Sequence, residues 1–262
     1  MAGAGLAGDA QGNIFFLDGN GFFDSTLNAS GFPAQGDFGN AFMKLSTTGN
    51  VLAPADYFAA YNVQAESDVD RDLGSGGAML LPDQIDAKGN TRHLAVGAGK
   101  DTNIYVVDRD NMGKFNASSN NAVYQELPNA LPGGAWSMAA LWNNQVFYAG
   151  VGDRLKGFPI TNALLATSPV GQSANTFPYP GATPSVSSNG AQNGIVWAVA
   201  NENGVGELLA YDPTHLASGL YDSNQEATRD QFTFRKFVPP MIANGKVYVA
   251  TPSTIAVFGL LH

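Results

Sequence analysis

The chain has 262 residues, 44% of them hydrophobic and 13% charged, enough apolar material for a full globular core and too little charge for a disordered chain. Thirteen basic against 22 acidic residues leave a formal charge of −9, the wrong sign for wrapping nucleic acid or binding an anionic membrane surface. Cysteine is absent, so disulfides, thiolate metal sites and cysteine nucleophiles are excluded. With 31 glycines and 14 prolines the chain is turn-dense, and long helices are not expected.

No apolar run of about 18 residues offers a membrane span, and the opening MAGAGLAGDAQGN has neither the basic nor the apolar region of a signal peptide. Strand-like sequence begins within a few residues of that opening, as expected of a cut or processed fragment. A short strand around Gly5 to Asp9 leads to GNIFFLDGNG from Gly12, AFMKLSTTG from Ala41 and VLAPADYF from Val51. A second group follows: AMLLP from Ala78, RHLAVGAGK from Arg92, NIYVVDRDN from Asn103 and AVYQELP from Ala122. The third is SMAALW from Ser137, NQVFYAGVGD from Asn144 and RLKGFPI from Arg154. The fourth is ATPSVS from Ala182, NGIVWAVANENG from Asn193 and ELLAYDP from Glu207. The last is FVPPMIA from Phe237, NGKVYVATPS from Asn244 and TIAVFGLL from Thr254.

These are one object repeated five times at a spacing of roughly 50 residues, with an insertion in the first unit. Short strands recurring at such a period predict an all-β fold, a β-propeller of about five recognisable four-stranded blades. A single domain, 1–262, is expected, with blades near 5–60, 75–128, 134–170, 180–224 and 235–262. The last blade stops after its third strand, which predicts an exposed edge through which copies could pair. It also suggests the C-terminal portion of a longer propeller. Phe15, Tyr105, Phe147, Trp197 and Tyr248 recur at matching positions, as packing between blades requires.

In the second unit the residues become specific. AVGAGKDTNIYVVDRDNMGKF, from Ala95, resembles a segment of pyrroloquinoline-quinone-dependent alcohol dehydrogenases: a basic residue, an aromatic strand, Asp-Arg and a turn ending in Gly. NIFFLDGNGFFD from Asn13, GDFGNAFMKLSTTG from Gly36 and SDVDRDLGSGGAMLLP from Ser67 resemble further segments of that family in the same order. The resemblance implies an eight-bladed propeller of which this chain holds the later part, in a periplasmic or secreted protein. It implies Asp70, across a one-residue gap, as catalytic base and Lys100 at the quinone oxygens, with Phe23 and Asp37 at cofactor-contacting positions. A carboxylate to take a hydroxyl proton and a cation to stabilise charge on the quinone make chemical sense together. Departures accompany these matches. The tryptophan under the quinone ring is replaced at Phe23 or Asp24, the tryptophan before the base is absent between Val69 and Asp70, and the calcium-ligating asparagine is replaced near Phe38.

Other motifs are weaker. Gly3, Gly5 and Gly8 spell GxGxxG, but no strand precedes them and no helix follows. Asp68, Asp70 and Asp72 alternate and offer oxygens to calcium, although Leu73 and Met79 break the EF-hand pattern. Their bland alternative is a solvated acidic loop. Ser75 and Ser137 lack a nucleophile motif, and His93, His215 and His262 are read as structural. Asp108 and Arg109 are expected to pair within the blade and fix its following turn.

Two function classes follow. One is a ligand- or protein-binding module with a degenerate cofactor site. The other is an enzyme: a quinoprotein oxidoreductase acting on alcohols or sugars, using pyrroloquinoline quinone and calcium, or a metal-assisted hydrolase or lactonase using funnel carboxylates. The expected partners are a small molecule or a protein.

Overall fold

A computed structural model describes residues 4–260; Gly3 and His262, named above, lie outside them. The fold is all-β, a succession of small sheets of the kind a propeller blade requires. Its strands form successive, mostly antiparallel sheets, in which most strands pair with a near neighbour along the chain. Contacts divide the chain into two compact units, one running to Ala130 with Asn162–Leu164 added, the other Leu131–Thr161 and onward from Leu165.

Among the described residues the first unit holds two larger sheets and a two-stranded one, Gln84–Ile85 with Thr91–Arg92. One larger sheet runs Ala7–Gly8, Ile14–Leu17, Phe42–Ser46 and Ala53–Ala59, with Lys114–Phe115 added parallel to the last. The other runs Met79–Leu80, Leu94–Ala98, Ile104–Asp108 and Gln125–Leu127. Every residue of Leu94–Ala98 is buried, as a strand covered on both faces requires. Phe15, Leu17, Phe42 and Phe58 from the first sheet meet Ala95, Tyr105 and Val107 from the second in one cluster. The opposite face of the first sheet is covered by the insertion itself, whose Phe23, Phe32 and Phe38 pack onto Met43, Tyr57 and Ala59. The insertion therefore gives that face of the sheet its own apolar cover.

The second unit holds three sheets. Ala140–Trp142, Gln145–Ala149, Asp153–Thr161 and Gly171–Phe177 form one; Ser185–Asn189, Gln192–Glu202, Val205–Tyr211 and Gly219–Asp222 form the next. The last, Met241–Ala243, Lys246–Ala250 and Ile255–Phe258, has three strands among the described residues. Phe147, Leu155, Val196, Leu209 and Tyr211 fill the first of two cores, and Leu208, Phe232, Val247 and Val249 the second. Ile255 and Val257 remain exposed on the edge strand.

Asparagine makes the tight hairpins. Asn143 and Asn144, Asn203 and Gly204, and Asn244 and Gly245 all adopt positive φ in pairs, the backbone of the turn that matches strand twist. This is why Asn-Asn and Asn-Gly mark these hairpins in the sequence. Of the recurring aromatics, Phe15, Tyr105 and Phe147 are buried between sheets, whereas Tyr248 is only half-buried. Asp108 and Arg109 do not form the expected pair: Asp108 meets Arg92 at 3.4 Å and caps the Asp110 N–H, while Arg109 reaches Asp9 at 4.0 Å. Neighbours on an extended strand point to opposite faces, so their side chains diverge. Among the described residues, no helix is long and apolar enough to cross a membrane.

Candidate functional site

The segment Glu66–Leu73 carries the acidic residues singled out above, and its shape is set by local forces. A short helix, Val63–Asp68, is tied by Asn62 to Glu66 at 2.7 Å and by Gln64 to Asp68 at 2.9 Å. Beyond it Asp70 turns into the left-handed region at φ 60°. The buried Asn40 holds the return of the chain, accepting from the Leu73 N–H at 2.5 Å and donating to the Arg71 carbonyl at 3.4 Å. Gly99 lets the next strand approach, since a Cβ there would lie 2.5 Å from Leu73 Cα. The Lys100 N–H then donates to the Asp72 carbonyl at 3.1 Å.

These contacts bring Lys100 to two of the three alternating carboxylates. Its Nζ lies 2.5 Å from Asp72 Oδ1 and 2.9 Å from Asp70 Oδ2, and Asn20 donates to Asp70 Oδ1 at 2.7 Å. Burial works against the Lys100 charge, yet Asp72 and Asp70 hold its ammonium above its ordinary pKa. The hydrogen bond and charge of Lys100, helped by Asn20, hold the Asp70 carboxyl below its ordinary value. The result is a triad in which a weak base sits beside a cation already matched by two anions.

Asp68 does not join it. It sits at the end of a helix, where the two-residue alternation of an extended loop no longer places side chains on one face, and Gln64 binds it. Among the described residues no three acidic or histidine side chains gather around a metal position. The Lys100 ammonium takes the place between Asp70 and Asp72 that a cation would need.

The positions implied for a quinone also depart from that use. Phe23 is 3% exposed, with its ring 4.8 Å from Phe115 and 6.0 Å from Tyr57 between centroids. It has no free face on which a cofactor ring could stack. Asp37 is exposed, and its carbonyl accepts the Asp24 N–H at 3.2 Å. The residues present therefore do not fit pyrroloquinoline quinone with calcium. The serines and histidines sit in local contacts: Ser75 Oγ donates to the Asp72 carbonyl, His93 meets Asp110 at 2.7 Å, and His215 meets Thr214 at 2.8 Å. Ser137 is buried without a partner for its hydroxyl.

Two features of this unit were not singled out by sequence motifs. Behind the triad lies a cavity of about 10 Å³ lined by Asn40, Glu66, Arg71, Asp101 and Tyr105, about the size of one water. Asp101 Oδ2 accepts the Tyr105 hydroxyl at 2.6 Å, while its Oδ1 is buried without a partner. Glu66 Oε2 has only the Arg71 guanidinium, 3.7 Å away. Burial, with the Glu66 and Glu126 charges adding to it, pushes the Asp101 carboxyl up to about 6.

The second feature is an open cleft of about 420 Å³ lined by Tyr61, Tyr124 and the segment 118–126. Its wall is prearranged: Asn120 accepts from the Tyr61 N–H at 2.8 Å and donates to Glu126 at 3.1 Å, and Asn103 donates to the other Glu126 oxygen at 3.1 Å. The alternation that marks the outer strand gives no hint of a cleft, because its walls come from a turn and from a residue about 60 positions earlier.

No family model matches the chain, and no curated protein matches it. Among solved structures, the β-propeller domain of Myceliophteria thermophila Cps50 (Swd1) aligns with a TM-score of 0.47 at 12% identity. The alignment covers 86% of this chain and 64% of that one, so this chain spans less than two thirds of that domain's length.

Proposed function

We propose that this chain is a binding module of the propeller type, descended from a quinoprotein-like repeat whose cofactor site has been dismantled. The observation that carries this reading is the Lys100 triad, in which the two groups best suited to redox chemistry neutralise each other. The buried Phe23 ring supports it. A base acting on an alcohol must be free to accept a proton, and Asp70 is held in its weakly basic form by the Lys100 ammonium. Lys100 in turn has no unmatched charge to offer a reduced quinone. The periplasmic or secreted location rests on the sequence resemblance alone.

The test is retention of cofactor. After incubation with pyrroloquinoline quinone and calcium followed by gel filtration, the protein is expected to elute without quinone absorbance. Stoichiometric co-elution that is lost in Asp70→Ala would overturn the reading in favour of the alcohol-oxidising alternative.

A further inference from the structure

Resting on the binding-module reading, we infer that the cleft between Tyr61 and the turn 118–126 is a site for a neutral saccharide. The argument begins with size. About 420 Å³ lies within the range of roughly 300–1,000 Å³ common to small-molecule sites, and admits several sugar rings in part.

The chemistry of the lining narrows the ligand. Tyr61 is 50% exposed, and Tyr124 is half-buried; both residues line the cleft, and a tyrosine ring offers apolar faces with a polar tip. Ser118, Ser119 and Asn121 add hydroxyls and an amide that both donate and accept. The one aliphatic side chain, Val123, is 9% exposed, so a lipid or alkyl ligand has little to bury against. No lysine or arginine lines the cleft, which disfavours phosphates and uronates. Arg92 lies 5.8 Å from the Tyr124 ring, but its charge is matched by Asp86 and Asp108. The one ionised lining group, Glu126, has an amide donor on each oxygen, so it offers an organic cation only an already satisfied carboxylate. What remains is an uncharged molecule with apolar C–H faces and many hydroxyls.

Preorganisation supports affinity. The turn is held by the Ser118 N–H on Asn116 Oδ1 at 2.9 Å and the Val123 N–H on the Asn120 carbonyl at 2.9 Å. Binding therefore orders few groups that are not already fixed.

The experiment titrates the full chain with neutral tetrasaccharides of α-glucan, β-glucan, xylan, mannan and chitin type, and with a tetragalacturonate, by calorimetry. At least one neutral probe is expected to bind, with affinity about tenfold weaker in Tyr61→Ala, as for an aromatic anchor. Asn121→Ala, at an exposed turn position, is expected to weaken binding without affecting folding, and Leu220→Ala, outside the cleft, to change nothing. Absence of binding by every neutral probe up to 10 mM (roughly the weak limit for a specific site), stronger binding of the tetragalacturonate, or full affinity in both Tyr61→Ala and Asn121→Ala would each overturn the proposal. A protein that ignores every saccharide and also elutes free of quinone refutes the saccharide site alone. Quinone retention instead refutes the binding-module reading.

Discussion

Asp101→Asn is expected to stabilise the protein at alkaline pH, and the size of the gain can be worked from the structure. The folded chain holds the Asp101 carboxyl at about 6, against an ordinary 3.8, because burial disfavours its charge and the Glu66 and Glu126 charges add to that, while its Oδ1 is buried without a partner. A carboxyl raised in the folded state binds more protons there than in the unfolded chain, so its contribution is fully present below pH 3.8 and is lost as pH rises through about 6. The full loss is about 3 kcal/mol at pH 8, roughly half of which has already accrued by pH 5. Asparagine keeps an acceptor for the Tyr105 hydroxyl and cannot ionise. Urea unfolding of both proteins at pH 5 and pH 8 should therefore show Asp101→Asn ahead at both, by about 3 kcal/mol at pH 8 and about half that at pH 5. Equal stabilities at pH 8, or a weaker variant there, would show that the folded chain solvates the Asp101 charge and that the burial argument is wrong.

Further outcomes follow from the same geometry. Lys100→Met leaves Asp70 and Asp72 facing each other without their cation, so the Asp70 carboxyl, now held below 3.8, should titrate at higher pH in a carboxyl-carbon NMR titration; an unchanged Asp70 would break the triad. Gly99→Ala places a Cβ 2.5 Å from Leu73 Cα and should cost about 1–3 kcal/mol in chemical denaturation, whereas a neutral result would mean that the two segments are not in close contact. In the second unit, burial and then the Asp222 charge push the Glu207 carboxyl up to about 7 from 4.5. Its stabilising contribution is lost as pH rises from about 4.5 through about 7, so Glu207→Gln should melt higher than the parent at pH 8, and a lower melt would refute the pairing.

The repeat was legible because hairpins need specific turns. Asn143–Asn144, Asn203–Gly204 and Asn244–Gly245 mark strand pairs in the sequence for the same reason that they adopt positive φ in the fold. Outer strands were harder to read. Gly171–Phe177 is largely polar and exposed, and Gly219–Asp222 is short and partly exposed, so no apolar period announces them. The meeting of Asp70 with Lys100 was legible only through resemblance, since nothing local to either residue predicts the other. Their neutralisation was not legible at all, because Asp72 enters through a turn that Asn40 and Gly99 create from distant parts of the chain. Asp68 was misplaced for a related reason: the alternation assumed an extended loop, and Asn62 and Gln64 stabilise a helix there instead. The cleft and the Asp101 cavity escaped because each is walled by residues from separate strands and turns.

The most direct measurement is a thermal melt of the chain alone, with calcium, and with calcium plus pyrroloquinoline quinone, since a ligand bound only by the native state raises its melting temperature. The Lys100 triad and the buried Phe23 predict superimposable curves in all three. A rise of several degrees confined to the sample containing quinone would contradict the account and restore Asp70 and Lys100 to redox chemistry.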